Sequence, residues 1–342
     1  MLNIGIGLTS KCNCECDHCY SRIYGNNAFL DTRKLYQFLE KFGIESVNFG
    51  TGESFFHPDF LKIIRYLNEK GIKISLTTNG YTTSKLKDDE LKMLHDVDFS
   101  LDYPEERLHD KNRKPGCFSM VMDGIQRCKN LGITCSVAWC LTPENCIYIK
   151  DMLKLCKKLN IFLRVNVYKP VNGKPGFAYD LFWNSINNLF LWGNIISISE
   201  GIVNAAIGNE RGLTGCNCNN LRIFPNGTIS SCVYTPNIIT LEKANDLSEK
   251  ELIKLLGEQY DKEPDSICLN CKDFMICKAG CMARRKIAKR KRDEFCFVGK
   301  KEKPYFDRIV FSKLKSEMFV HSEYICTIIL EPRGDLDGVS FK

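Results

Sequence analysis

No long uninterrupted apolar run occurs in this 342-residue chain. The most apolar long stretch, Leu181–Ser199, is broken by Asn184, Asn187, Asn188 and Asn194, which excludes a membrane span. The N-terminal MLNIGIGLTSK lacks a basic leading segment and a small-residue cleavage site. No signal peptide is therefore expected, and the chain reads as cytoplasmic. There is no internal repeat, no zinc-protease motif and no Walker loop. Gly5 and Gly7 form a GxG with no third glycine, which reads as a small-residue strand rather than a nucleotide loop. Charge of one sign is not in great excess either, at 48 basic against 41 acidic residues. With 26% charged and 44% hydrophobic residues, the composition is that of a globular chain with a real core.

What the chain has in abundance is cysteine, 19 residues of it. The number is odd and the residues cluster at short gaps. In a reducing compartment such spacing suits metal ligation better than disulfides.

Hydrophobic periodicity divides the first half into alternating elements. Strands are expected at Leu2–Leu8, Ser46–Phe49, Ile72–Thr77, Val97–Leu101, Ile133–Trp139 and Phe162–Val167. Helices are expected at Leu30–Phe42, Pro58–Glu69, Lys85–Leu94, Phe118–Leu131 and Asn145–Leu159. Such alternation implies an α/β fold with a parallel sheet, either open and doubly wound or a partial barrel. In both cases the active site lies at the carboxyl ends of the strands. A helix at Ala178–Trp192 and a hairpin around Pro225-Asn226-Gly227 follow, with a domain change near residues 170–210.

The segment KCNCECDHCY places Cys12, Cys16 and Cys19 directly after the first strand, with Cys14 as an extra. Three thiolates on one short loop suit an iron–sulfur cluster with one position left open, whereas a closed zinc knuckle wants a fourth ligand. This CxxxCxxC loop resembles the signature of the radical S-adenosylmethionine (SAM) enzymes. NFGTGES (Asn48–Ser54), LTTNG (Leu76–Gly80) and SLDYPEERLHDKNR (Ser100–Arg113) resemble the family's segments at the ends of the next three strands. The resemblance covers residues 2 to about 170 and implies a partial (βα)6 TIM-type barrel. It implies that Cys12, Cys16 and Cys19 hold three irons of a 4Fe–4S cluster and that SAM takes the fourth. Reductive cleavage would then give a 5′-deoxyadenosyl radical that abstracts hydrogen from substrate. By the same match Gly52 and Glu53 lie by the methionine amino group, Ser100 and Arg113 hold the carboxylate, and His18 meets the adenine. Thr51 stands where the family has a glycine and Ser54 where a proline is common. One extra residue separates Pro104 from His109.

Further on, Cys216, Cys232, Cys268, Cys271, Cys277, Cys281 and Cys296 resemble the SPASM extension of radical enzymes that modify peptides and proteins. The match implies a cysteine-rich iron–sulfur domain. Cys268, Cys271, Cys277 and Cys296 would hold one 4Fe–4S cluster; Cys216, Cys232 and Cys281 would hold another. Cys218, substrate or nothing would be its fourth ligand. Zinc ribbons are the alternative. The expected divisions are a barrel core over 1–170, a bridging segment over 171–210, an auxiliary-cluster domain over 211–300 and a C-terminal extension over 301–342. The other cysteines, Cys117, Cys128, Cys135, Cys140, Cys146, Cys156 and Cys326, show no ligand spacing and are expected mostly as small core residues.

RRKIAKRKR (Arg284–Arg292) is either a solvated link between Cys281 and Cys296 or a dock for an acidic peptide. It lacks the aromatic interleaving of single-strand binders, so nucleic acid is not expected. The expected function is radical modification of a peptide, with oxidation of a small molecule and a non-catalytic metal-binding protein as alternatives. Val233 stands where sulfatase maturases place an aspartate base, which argues against that activity. A low-potential electron donor is implied. The chain starts at the first barrel strand, so precursor recognition would fall to the C-terminal half or to a separate protein.

Overall fold

The computed structural model describes residues 2–25, 27–171, 173–192, 196–198, 200–208, 221–235, 237–258, 264–300, 304, 306 and 328–330. Its first half is a run of strand–helix units: β1 (Leu2–Ile6), α1 (Thr32–Lys41), β2 (Ile44–Phe49), α2 (Phe60–Glu69), β3 (Lys73–Thr78), α3 (Tyr81–Lys85), α4 (Asp88–Leu91) and β4 (Asp96–Ser100). α5 (Glu106–Asn112), α6 (Cys117–Asn130), β5 (Thr134–Leu141), α7 (Ile149–Leu159) and β6 (Phe162–Val167) complete it. Strands β1 to β6 pair in sequence order and all in parallel. The helices cover the sheet with apolar faces at helical spacing. In α2, Phe60, Ile63, Ile64 and Leu67 are all buried, each stabilising the fold by about 1.5–3 kcal/mol. The Asp31 carboxylate caps α1 by accepting from the Arg33 N–H at 2.9 Å.

The sequence expectation of one helix over Lys85–Leu94 is corrected. The backbone is extended at Leu86 and Lys87, and the chain restarts as α4. Glu90 drives the restart, its carboxylate accepting from the Lys87 N–H at 3.0 Å. The periodicity also passed over α5, whose residues carry few apolar side chains.

The sheet runs beyond six strands. After α8 (Tyr179–Trp192), β7 (Ile196–Ile198) adds to β6 in parallel. After α9 (Gly201–Ile207), β8 (Leu221–Ile223) returns to the opposite side and pairs in parallel with β1. The Pro225-Asn226-Gly227 turn leads into β9 (Thr228–Ser230), antiparallel to β8. β10 (Ile239–Thr240), α10 (Leu241–Ala244) and α11 (Glu249–Gly257) follow; then come three short helices, α12 (Ser266–Leu269), α13 (Phe274–Cys277) and α14 (Met282–Ile287). β11 (Ile328–Leu330) pairs antiparallel with β7 and ends the eleven-stranded order. Phe182, Trp183 and Ile186 of α8 and Ile202 and Val203 of α9 join the same hydrophobic core as the strands. Among the described residues no helix is long and apolar enough to cross a membrane.

Candidate active site

Each parallel strand delivers its carboxyl-terminal loop to the same end of the sheet, and these loops enclose a cavity of about 310 Å³. The cysteine loop after β1 and the GTGE loop after β2 are built on one another. Gly52 has φ +62° and lies against the carbonyls of Thr9 and Lys11, so a β-carbon there would collide with backbone. Its N–H faces Ser21 Oγ at 3.3 Å, and the Glu53 N–H donates to the Lys11 carbonyl at 2.9 Å. Tyr20 closes the far side by donating its hydroxyl to the Gly50 carbonyl at 2.6 Å. The threonine in place of a glycine is accommodated. Thr51 is buried, with its side chain over Gly7, where a β-carbon would come within 2.7 Å of it.

Glu53 carries the connection to β3. Its carboxylate accepts from the Thr78 hydroxyl and, at 3.0 Å each, from the Asn79 and Thr82 N–H groups. Burial pushes its carboxyl pKa up against those donors. Asn79 reaches in the other direction, its amide lying 3.5 Å from Cys12 Sγ, 3.2 Å from Cys14 Sγ and 2.9 Å from Asn13 Oδ1.

The loop after β4 is organised by Asp102. Arg113 Nε donates to Asp102 Oδ2 at 2.7 Å and Asn112 at 2.9 Å, while His18 Nε2 stands 3.7 Å away. Burial would raise the Asp102 carboxyl, but the Arg113 charge and His18 outweigh it and hold the group ionised well below the usual range. The Cys16 thiol is pushed down to about 6 by a hydrogen bond from Cys14 and by the Arg113 charge, against burial. Among the described residues Asp102 Oδ1 is buried without a hydrogen-bond partner.

The cluster and SAM candidates of the first half meet here. Cys12, Cys16, Cys19, His18, Gly52, Glu53, Ser100 and Arg113 line the one cavity. So do Cys232 and Cys281 from the second half, across from the first loop. Cys268, Cys271, Cys277 and Cys296 line a separate small cavity with Phe274 and Phe297. Cys216 and Cys218 lie outside the described residues, as does Cys326. Among the described residues no three His, Cys, Asp or Glu side chains converge on a single metal-ion position. Cys128, Cys135, Cys146 and Cys156 are buried in the core as expected. Cys140, however, lines the central cavity, and Cys117 places its sulfur 3.1 Å from that of Cys14.

Several cavity residues gave no sequence signal. Asp98 and the half-buried Arg164 of the cavity wall form a cluster with Ser136 between β4, β5 and β6. Lys169, just past β6, donates to Glu200 at 2.7 Å, and Glu200 accepts from Arg284 at 2.8 Å. Arg284 also bridges to Asp293 at 2.6 Å and lies over the Phe295 ring at 4.5 Å. This corrects the reading of the basic stretch. Arg284 and Arg285 are buried structural cations, and of the basic residues in the stretch only Lys286, Lys289, Arg290 and Lys291 are exposed. The signal for Arg284 was latent in its position three residues after a cavity cysteine.

Residues 6–156 match the radical SAM superfamily, and this part of the chain is a radical SAM domain; that family implies a 4Fe–4S cluster and S-adenosylmethionine. Within the class, the chain is 23% identical over 302 residues to the mycofactocin maturase MftC of Mycobacterium tuberculosis (strain CDC 1551 / Oshkosh), covering 81% of this chain and 77% of that protein. Its fold is that of Streptococcus suis SuiB bound to S-adenosylmethionine, at 18% identity and a TM-score of 0.65, covering 86% of this chain and 77% of that one. It is also that of anSMEcpe with bound AdoMet, at 20% identity and a TM-score of 0.67, covering 87% and 94%.

Proposed function

We propose that the protein is a radical SAM enzyme that matures a ribosomally made peptide. The observation that carries this reading is the convergence of all four strand-end segments, together with Cys232 and Cys281, on one cavity. The likeness to a maturase over most of the chain supports a peptide substrate, as does the fold shared with SuiB, which is also known bound to its precursor peptide SuiA.

In this reading Cys12, Cys16 and Cys19 hold a 4Fe–4S cluster, and the donor chemistry fits, since thiols on one loop face an open cavity beside a cation. Bound there, the cluster and SAM supply hydrogen-atom abstraction. The chain's own residues bind and orient. Gly52 lets the backbone approach the SAM amino group, Ser100 and the terminal nitrogens of Arg113 receive its carboxylate, and Asp102 fixes Arg113 in place while His18 flanks the adenine. Cys268, Cys271, Cys277 and Cys296 hold one auxiliary cluster, supported by their shared cavity. Cys232 and Cys281, with Cys216 and either Cys218 or an open position, hold another facing the substrate, which makes three clusters in all. The peptide enters between the cysteine loop and the C-terminal half. A low-potential electron donor is the partner this chemistry would require, and a separate protein is the candidate for presenting the precursor.

The test is anaerobic reconstitution, followed by iron and sulfide counting and a 5′-deoxyadenosine assay with dithionite and SAM. A Cys12→Ala/Cys16→Ala/Cys19→Ala protein loses deoxyadenosine formation and keeps the iron of the C-terminal half. Zinc in place of iron, with no deoxyadenosine from the unsubstituted protein, overturns the reading.

A further inference from the structure

Among the described residues six charged side chains line the central cavity, and five of them are satisfied from within the fold. Arg113 is paired with Asp102, Arg164 with Asp98 and Lys169 with Glu200. Glu53 receives the Thr78 hydroxyl and two backbone N–H groups, and Asp98 is shared between Arg164 and Ser136. The sixth is Arg222. Among the described residues it has no ion pair and no hydrogen bond, although it is partly buried.

Its placement is built. Arg222 sits on β8 opposite Gly5 of β1 in the parallel register, between Leu221 and Ile223, which are buried. Alternation along the strand turns its side chain to the cavity face. There it lies flat across Gly5, with Nη1 only 2.5 Å from where a β-carbon of that residue would stand. Gly5 is thus the residue that makes room for a guanidinium, just as Gly7 makes room for Thr51. The GxG of the first strand, which bound no nucleotide motif, is explained as two clearances. Tyr20, its ring edge-on to Tyr234 at 5.8 Å, stands on the same wall of the cavity. A cation held partly out of water without a partner is costly, and a planar guanidinium is matched by the two oxygens of a carboxylate.

We propose that Arg222 is the subsite for a carboxylate of the substrate, which rests on the reading of this cavity as a peptide-modifying site. In that reading the SAM carboxylate is taken up by Ser100 and Arg113, at the end of β4 and in the loop that follows it, which leaves Arg222 on β8 for a second carboxylate. The carboxylate is either an aspartate or glutamate side chain or the peptide's C-terminus.

The test uses the reconstituted, SAM-loaded protein and phenylglyoxal, which modifies unpaired guanidinium groups, with sites mapped by peptide mass spectrometry. Arg222 is expected to label, and Arg113, Arg164 and Arg284 are not. Ac-Gly-Asp-Gly-NH2 slows labelling of Arg222 severalfold if a side-chain carboxylate is bound. Ac-Gly-Asn-Gly-OH does so if a C-terminal carboxylate is bound, and Ac-Gly-Asn-Gly-NH2 does neither. An Arg222 that resists the reagent is already compensated in the loaded protein, and this overturns the proposal. So does labelling that all three peptides affect equally. Labelling requires no SAM cleavage, so this outcome is read separately from loss of deoxyadenosine formation.

Discussion

The barrel and the cysteine-rich segment at 264–300 hold themselves together by different means. Strands β1 to β6 and helices α1, α2, α6 and α7 bury a continuous set of aliphatic and aromatic side chains. The segment at 264–300 supplies only Cys277, Phe295 and Phe297 to that buried set. Its helices α12 and α13 have four residues each and α14 has six, lengths at which a helix has no independent stability. Beside a few buried apolar residues of its own, such as Ala279, Met282 and Ala283, it has a chain of buried charges, with Asp293 accepting from the Cys281 and Phe295 N–H groups while gripping Arg284. Two regions of one fold thus differ in what they need. The barrel needs apolar area, and the C-terminal segment needs an ion network and, in the proposed reading, metal.

Removal of iron breaks the comparison most severely if it is wrong. Anaerobic chelation is expected to strip amide-exchange protection from residues 264–300 while β1 to β6 keep theirs, because metal binding in a segment with little core of its own is folding energy. Equal loss of protection in both regions would sink the contrast. Next in size is Arg284→Met. It leaves Asp293 with backbone donors and Glu200 with Lys169, so the cost falls at the lower end of that for breaking a buried pair, about 3 kcal/mol. Urea denaturation of the iron-loaded protein measures it. Lys286→Met, exposed on the same helix, is the control and shifts stability by no more than about 0.5 kcal/mol.

The same difference decides what the sequence could tell. The barrel was legible because its signals are local. The 3.6-residue period in α2 and the alternation of strands and helices fixed β6 to the residue and most other strands to within two. The strand-end segments were legible because each is a contiguous motif. The Glu200–Arg284 pair was not, since 84 residues separate partners that no local period relates. β8 was read as half of a hairpin, which it is, but its parallel seat beside β1 is a long-range choice invisible in a three-residue strand. Arg222 stayed hidden for the same reason, and Gly5 was visible only as part of a small-residue strand.

Gly52→Ala probes the barrel side. It forces an alanine to φ +62° and drives its β-carbon into the carbonyls of Thr9 and Lys11. The dihedral alone costs about 1–2 kcal/mol, and the collision has no flexible neighbour to absorb it. In the proposed reading the loop then loses its iron while the helices keep their circular dichroism. Gly71→Ala separates the two contributions. It has φ +70° with nothing within 4 Å, so only the dihedral cost of about 1 kcal/mol is expected there.

The last effect is one of pH, and it attacks the two regions in the opposite order to chelation. His109 is buried against the Asp102 loop, and its Nδ1 accepts from the Asp102 N–H at 3.1 Å, which requires that nitrogen to be unprotonated. Burial pushes its pKa down to about 4 from the ordinary 6.5, with the Arg113 charge acting in the same direction. The unfolded chain therefore binds the proton more readily, so the stability held by neutral His109 is complete above pH 6.5 and is lost as pH falls toward 4. In the C-terminal network burial opposes ionisation of Glu200, but Arg284 and Lys169 prevail and hold it at about 2 against an ordinary 4.5, so its contribution fades only below 4.5. On acidification the barrel's loop after β4 is thus expected to weaken first and the ion network last. Titration of the His109 ring protons by NMR checks the first half, with a midpoint near 6.5 as the result that removes it. His109→Gln is expected to flatten the stability slope between pH 6.5 and 4 and leave the slope below 4.5 that belongs to Glu200 unchanged.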